Sequence, residues 1–310
     1  MLSGHVSLRE ARADASRATH LSLSHARLEE LPPDLLEFPN LRRIELSHNR
    51  LTRLSDVIFD LPGLEKLSLR DNRLVKLHDR LEALGSLRKL NLSLNPSLDA
   101  DVALTQLARL PRLEVLSLSD SRLSHLPEAF MALRSLKVLH LHGNALRTLP
   151  SGFEALYRMQ KLSLDGNPWS DATATLDQAC RLRNLAVLAY RESGLVRVPA
   201  AMGGLRSLVH LDLGRNPGLD VESLLEALTR LPRLTRLFLH DCGLTSLPER
   251  ITELKSLTSL TLSGNPLQGL PAALARMPSL QELMLYRTPL EPGAVEALRR
   301  GNPRLRILGF

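Results

Sequence analysis

Cysteine is almost absent: Cys180 and Cys242 are the two in 310 residues. Two thiols cannot form a disulfide framework, and no cysteine cluster flanks the ends, so a reducing compartment is expected. Aromatics are scarce as well, ten in all, so large rings cannot be what fills the interior. Lysine is short against arginine, 6 to 34 among the 40 basic residues. With few isoleucines and many alanines, that bias is what GC-rich coding produces, and it points to a bacterial source. No apolar run is long enough to span a bilayer, and the opening MLSGHVSLREARADASRA has no apolar core of signal-peptide length. No membrane partner is therefore expected. The expected compartment is the bacterial cytoplasm, or a host cytosol if a machine that reads no such signal delivers the chain. Catalytic signatures are missing too: there is no H-E-x-x-H, C-x-x-C, G-x-S-x-G or Walker loop. The expectation is a protein that is not an enzyme and carries no cofactor and no metal.

What the chain has is leucine, 75 of them, so its core must be built of leucine layers. Residues 136–146, LKVLHLHGNAL, carry leucine at the first, fourth, sixth and eleventh places and asparagine at the ninth. The pattern returns as LRRIELSHNRL, LEKLSLRDNRL, MQKLSLDGNPW and LTSLTLSGNPL. Twelve copies start at Ala18, Leu41, Leu64, Leu87, Leu113, Leu136, Met159, Leu185, Leu208, Leu234, Leu257 and Leu280, and a thirteenth, LRILGF from Leu305, is truncated. The template L-x-x-L-x-L-x-x-N-x-L resembles that of the leucine-rich repeat family, over residues 18–310. The resemblance implies an α/β solenoid, a right-handed superhelix with a curved parallel sheet on its concave face. Leu139 and Leu141 then point inward, and Val138, His140 and His142 point to the open face.

Residues 1–17 fall outside the repeat. Ser7 and Glu10 have the spacing of a capping box, and Leu8, Ala11, Ala15 and Ala18 share a helical face, so a short helical cap over the first leucine layer is expected. Between strands, eight segments give 23-residue repeats, in the style of LPEAFMALRSL. Three give 26-residue repeats with aspartate near the start and helical apolar spacing, predicting true helices of two to three turns. The last segment has Pro292 near its helix start and Gly301 and Pro303 as stops. In the family, the ninth-place asparagine hydrogen-bonds neighbouring backbone as a buried ladder. Asn49, Asn72, Asn95, Asn144, Asn167, Asn216 and Asn265 fit it, whereas Ala26, Ser121, Ser193, Cys242 and Thr288 depart. Four of those five follow a repeat containing Asn-Pro. The expectation is that proline, lacking an N–H, deprives the next asparagine of a donor. Cys180, in a convex helix, and Cys242, on the ladder, are expected to be buried packing residues.

Recognition residues are sought on the open face. Arg43, Lys66 and Lys89 share one column on three successive strands. Stacked like charges there are mildly destabilising, which suits a patch that steers an acidic partner, although Glu45, Glu65 and Asp71 interleave and can neutralise it. No aromatic residues stand between these cations, which argues against nucleic acid. Histidines His140, His142, His210 and His240 lie too far apart, repeat by repeat, to share one ion, and His20, His25 and His48 have no convincing carboxylate or thiol partner. Nearer the other end, Phe238 and Met284 occupy the column between paired leucines, with His240 and Tyr286 one step along and Asp212, His210 and Arg236 flanking. The expected function is a module that captures a protein or peptide on the concave face, mainly around Phe238, Met284 and Tyr286. Thr261 and Ser263 are expected between them as a shallow polar floor that lets one inserted side chain be gripped. Two rivals stand beside it. One is the recognition domain of a larger bacterial enzyme or effector, similar to ubiquitin-ligase effectors or repeat-containing GTPases, which a reading frame continuing past Phe310 would favour. The other is an anion or nucleic-acid binder using the N-terminal basic column.

Overall fold

The computed structural model describes residues 8–291 and 293–309. Ser7 of the capping box and Pro292 of the last helix start lie outside them. The chain divides into two compact units, Met1–Arg158 and Met159–Phe310. Unit one carries six strands: β1 (His20–Ser22), β2 (Arg43–Glu45), β3 (Lys66–Ser68), β4 (Lys89–Asn91), β5 (Val115–Ser117) and β6 (Val138–His140). Each pairs in parallel with the next. Unit two carries seven: β7 (Lys161–Ser163), β8 (Val187–Ala189), β9 (His210–Asp212), β10 (Arg236–Phe238), β11 (Ser259–Thr261), β12 (Glu282–Met284) and β13 (Arg306–Leu308). They too pair in parallel and in chain order. Each unit is thus an α/β solenoid of the kind the repeat implied.

Strand and core follow from the leucine spacing. The middle residue of each strand points inward, and the leucine two places on closes the layer, so Leu139 and Leu141 are both fully buried. The first and third strand residues face the open side. Behind the sheet, the 23-residue coils return through short 3₁₀ turns such as Pro33–Glu37, Glu128–Ala132 and Glu249–Glu253. Three extra residues suffice for a helix. After the N-terminal turn α1 (Leu8–Ala11) come α2 (Ala100–Leu107), α3 (Ala172–Cys180) and α4 (Val221–Leu228). Asp99, Asp171 and Asp220 cap them, accepting the amides of Val102, Ala174 and Ser223 at 3.0, 2.9 and 3.2 Å. The aspartate signal therefore reads as expected. At the N-terminus Ala11 is buried, and Arg12 reaches Asp34 and Glu37 at 3.0 and 2.9 Å, tying this segment to the first convex turn.

The thirteenth strand differs from its expected frame. Its register pairs Leu283 with Ile307 and Met284 with Leu308. Ile307, not Leu308, therefore takes the inward place, and Leu308 lands on the open face. The cause is the segment before it. Helix α5 (Ala294–Gly301) ends where Asn302 donates to the Leu298 carbonyl, and Leu305 then closes a turn on Asn302. Leu305 is buried like the first leucine of the other coils, but β13 starts one residue after it, where the other strands start two residues after theirs.

The ladder forms, but not by the proline logic. For Asn49, Asn72, Asn95, Asn144, Asn216 and Asn265 the Oδ1 accepts the amide lying two residues after the preceding repeat's ninth place. Asn49 takes Leu28 at 2.9 Å, Asn72 takes Leu51 at 3.0 Å, Asn144 takes Leu123 at 3.0 Å and Asn265 takes Leu244 at 3.1 Å. Proline stands one residue after the ninth place, so its missing N–H is not the ladder donor. What proline changes is the chain path. After Asn95 and Asn216 the amides of Leu98 and Leu219 bond back to the asparagine carbonyl, and Trp169 does the same to Asn167. These residues are drawn into local turns. The serine and cysteine substitutes keep donor bonds: Ser121 Oγ donates to Ser119 and Leu92 carbonyls at 3.1 and 3.4 Å, Ser193 Oγ to Arg191 at 2.9 Å, and Cys242 Sγ to Leu213 at 3.3 Å.

Two stability changes follow. Leu141→Ala should cost about 2–5 kcal/mol in denaturant unfolding, because stacked layers cannot close the hole; a loss under about 1 kcal/mol would mean the inward assignment is displaced. Asn144 makes five hydrogen bonds, three donated to Leu118, Leu141 and His142 carbonyls and two accepted from Ser121 and Leu123. With roughly 1–3 kcal/mol for each orphaned buried group, Asn144→Ala should match or exceed the loss from Leu141→Ala.

Candidate functional site

In unit two, strand pairing lines up the third strand residues as Asp212, Phe238, Thr261, Met284 and Leu308. A polar residue is the usual occupant of this open face, so the apolar members stand out. Phe238, Met284 and Leu308 are each half-buried. The polar gap expected between Phe238 and Met284 is closed: Thr261 is only 7% exposed, and its Oγ1 donates to Met284 Sδ at 3.5 Å. The flanking side chains therefore fold over it, making a nearly continuous apolar ridge rather than a slot. Leu308 extends the ridge, and sequence reasoning missed it because the truncated repeat was framed one residue late. Tyr286, two residues along from Met284, is 52% exposed. On the other flank His210, Arg236, Ser259, Glu282 and Arg306 form the first-residue row.

Beside the ridge lies a network of charges. His240 Nε2 is 3.8 Å from Asp212 and its Nδ1 is 3.1 Å from Asp241. Arg191 Nε lies 3.6 Å from Asp212 and 3.5 Å from Asp165. The imidazole of His240 lies flat over Gly214, where a Cβ would come within 2.2 Å of Nε2. A glycine directly before His240 in the stack was the available sequence signal for this seat. Burial raises the Asp212 carboxyl above its ordinary value, opposed by the Gly214 amide, Arg191 and His240. His210 is lowered by burial first and then by Arg236 and Lys161.

In unit one the basic column is real but unevenly paired. Arg43 is clamped on Glu45 through Nε and Nη2 at 2.9 and 2.6 Å, Arg42 pairs with Glu65, and Arg88 with Glu114 at 3.3 Å. Among the described residues Lys66 and Lys89 form no ion pair. They stand side by side in register on β3 and β4, at the rim of a shallow pocket of about 380 Å³ whose floor includes Ser68, Asn91, Ser117 and Val115. His48 has a carboxylate partner that sequence reasoning overlooked: its Nδ1 lies 2.7 Å from Asp71, and its ring stacks on His25 at 4.3 Å. His142 sits 3.6 Å from Asp120, and its ring meets His140 edge-on at 6.4 Å. Both cysteines are fully buried. Burial pushes Cys180 up to about 12 and Cys242 up to about 11, which keeps them thiols at neutral pH. Among the described residues no helix is long and apolar enough to cross a membrane.

The profile of the leucine rich repeat family matches residues 16–74, 39–97, 111–168 and 232–290. No curated protein matches the sequence. Among solved structures, a leucine-rich repeat protein of Leptospira interrogans aligns with a TM-score of 0.70 and 24% identity, covering 97% of this chain and 98% of that one. An internalin of Listeria monocytogenes gives a TM-score of 0.70 and 18% identity over 91% of this chain and 77% of that one. TLR13 in complex with ssRNA13 gives 0.62 and 21% identity over 97% of this chain and 52% of that one. At such identities the likeness establishes the fold alone.

The shifted histidine makes stability depend on pH. The folded state disfavours the charged ring of His210, so its contribution is full above the ordinary value of 6.5 and is lost as pH falls through the lower folded value. Asp212, raised by burial, works the other way: its contribution is present at low pH and lost as pH rises. His210→Gln should therefore reduce the drop in melting midpoint between pH about 7 and about 5. An unchanged or steeper drop would assign the acid sensitivity elsewhere.

Proposed function

Because the chain belongs to the leucine-rich repeat family, a family of binding scaffolds that typically carry no catalysis, we propose that it captures a protein or peptide on the open face of its sheet. The main contact lies in unit two. The observation that carries this reading is the ridge of large apolar side chains Phe238, Met284 and Leu308 on the open face, with Tyr286 standing exposed beside it. Interface energy concentrates in a few aromatic and apolar anchors within a polar surround. Here the surround is supplied by His240, Asp212, Arg236 and His210. A ridge suits a partner that offers a groove or an apolar strip, rather than one that inserts a single side chain. No step of this reading uses chemistry, and the buried thiols offer none.

The test is affinity capture from bacterial lysate and from eukaryotic cytosol, followed by calorimetry on the partner recovered. Phe238→Ala or Tyr286→Ala should each weaken binding by at least about 2 kcal/mol, close to 30-fold. Tyr286→Ala should leave the unfolding midpoint in place, since half of that side chain is already in water. Binding that survives both changes, with only stability reduced, would make the ridge a structural cover for Thr261.

A further inference from the structure

Lys66 and Lys89 are neighbours across the β3–β4 pairing, each the first residue of its strand and each exposed. Strands sit about 4.8 Å apart, so the two lysine side chains rise from neighbouring backbones, where like charges repel. The arginines around them do not share this condition. Arg43 is held by Glu45, Arg42 by Glu65 and Arg88 by Glu114. Composition sharpens the contrast: the chain has only six lysines, and three of them, Lys66, Lys89 and Lys161, open strands in this one sheet position. The paired surface cations are mostly arginines, although Lys137 pairs with Glu114 at 3.2 Å. At this place two unpaired lysines overhang a pocket floored by Ser68, Asn91 and Ser117.

The same column changes character on the next strands. Lys89 registers with Val115, and Val115 with Val138. A ligand lying across the strands therefore passes from two cations to two half-buried valines. We propose that this face of unit one is a binding site for an acidic peptide segment, with a carboxylate seated between Lys66 and Lys89 and an apolar side chain laid on Val115 and Val138. The centres of the two pairs are two strand spacings apart, about 10 Å. A peptide in the polyproline II conformation rises about 3.1 Å per residue with about three residues per turn, so side chains three apart share a face and the apolar one follows the carboxylate by three residues. Glu45 lines the same pocket, and its charge disfavours a dianion such as a phosphoryl group more than a single carboxylate. Arg43, which could offer a fork to phosphate, is already engaged. No aromatic side chain lines the pocket to stack a base, which sets nucleic acid aside. The site stands apart from the unit-two ridge and does not rest on it.

The experiment uses the full chain and a short fluorescent peptide carrying paired aspartates with paired valines about three residues on. Anisotropy gives its affinity at low and high salt, and methyl spectra of valine-labelled protein give its footprint. The expected result is a salt-sensitive affinity with shifts centred on Val115 and Val138. Replacing the peptide aspartates by asparagines should weaken it at least tenfold, as should the double variant Lys66→Gln, Lys89→Gln. Phe238→Ala should leave it unchanged, which separates a failure here from a failure of the unit-two reading. Equal binding of the asparagine peptide to unaltered protein overturns the proposal, whatever the lysine variant does. So does tighter binding, over the same methyl groups, of a phosphoserine version of the peptide or of an RNA oligonucleotide.

Discussion

Backbone polarity at the turn after each strand is the constraint from which the rest of the structure follows. A strand of three residues satisfies little of its coil, and the chain must then bend sharply under the next coil, where water cannot reach. Carbonyls and amides stranded there would each carry a desolvation cost. A buried asparagine answers them, its amide group donating to carbonyls of its own and the preceding coil and its oxygen accepting an amide from the preceding coil, as Asn72 does with Leu46, Leu69 and Leu51. The residue just before it is forced into the left-handed region, at φ 59° for His48, 54° for Asp71 and 55° for Arg215. Each coil is thus completed by its neighbour, and a coil alone would leave both its leucine layer and its ladder unfilled.

That dependence explains why so much was legible in the sequence. Leucine spacing specifies which strand residues turn inward, and Asp99, Asp171 and Asp220 mark the three helices, because both signals act within one coil. What escaped reading depended partly on how coils meet. The inward place of Ile307 is decided by where helix α5 releases the chain, not by the leucine pattern, and the template misplaced it by one residue. Thr261 reads as an open polar floor, yet its neighbours Phe238 and Met284 are large enough to close over it. His48 finds Asp71 on the following coil, a distance no linear motif spans. Proline after the ladder asparagine acts through the turn it induces rather than through the N–H it lacks. For Thr261 and His48 the deciding partner lies about one coil away in the sequence; for Ile307 and the prolines it is a local turn that the leucine spacing does not encode.

A scaffold closed in this way leaves its open face free to vary. The leucines and asparagines are committed to the interior, whereas the first and third strand residues meet only their lateral neighbours and solvent. Their backbones are nevertheless fixed by the ladder, so a partner meets side chains already in place, and less ordering entropy opposes binding. Met284 is fixed further by the hydroxyl of Thr261, which donates to its sulfur. The His240 seat over Gly214 is a second instance: the ring is positioned by the absence of a side chain on the adjacent strand, and Asp212 and Asp241 then hold it from two sides.

Charge is arranged by the same periodicity. Because coils repeat, equal places on successive coils lie side by side, and like charges there would accumulate into columns. In several places the sign alternates from coil to coil instead. Arg53 meets Glu30 at 3.1 Å, Arg80 meets Asp56 at 3.1 Å, Arg109 meets Glu82 at 3.7 Å, and Arg215 meets Glu192 at 3.4 Å. Exposed pairs of this kind each contribute only about 0–1 kcal/mol. Their greater effect is to prevent the repulsion that an unalternated column would impose. Lys66 and Lys89 stand in register without such a partner, whereas Arg42, Arg43 and Arg88 beside them are paired. The repulsion between the two lysines is of the kind that an anion lying between their ammonium groups would relieve.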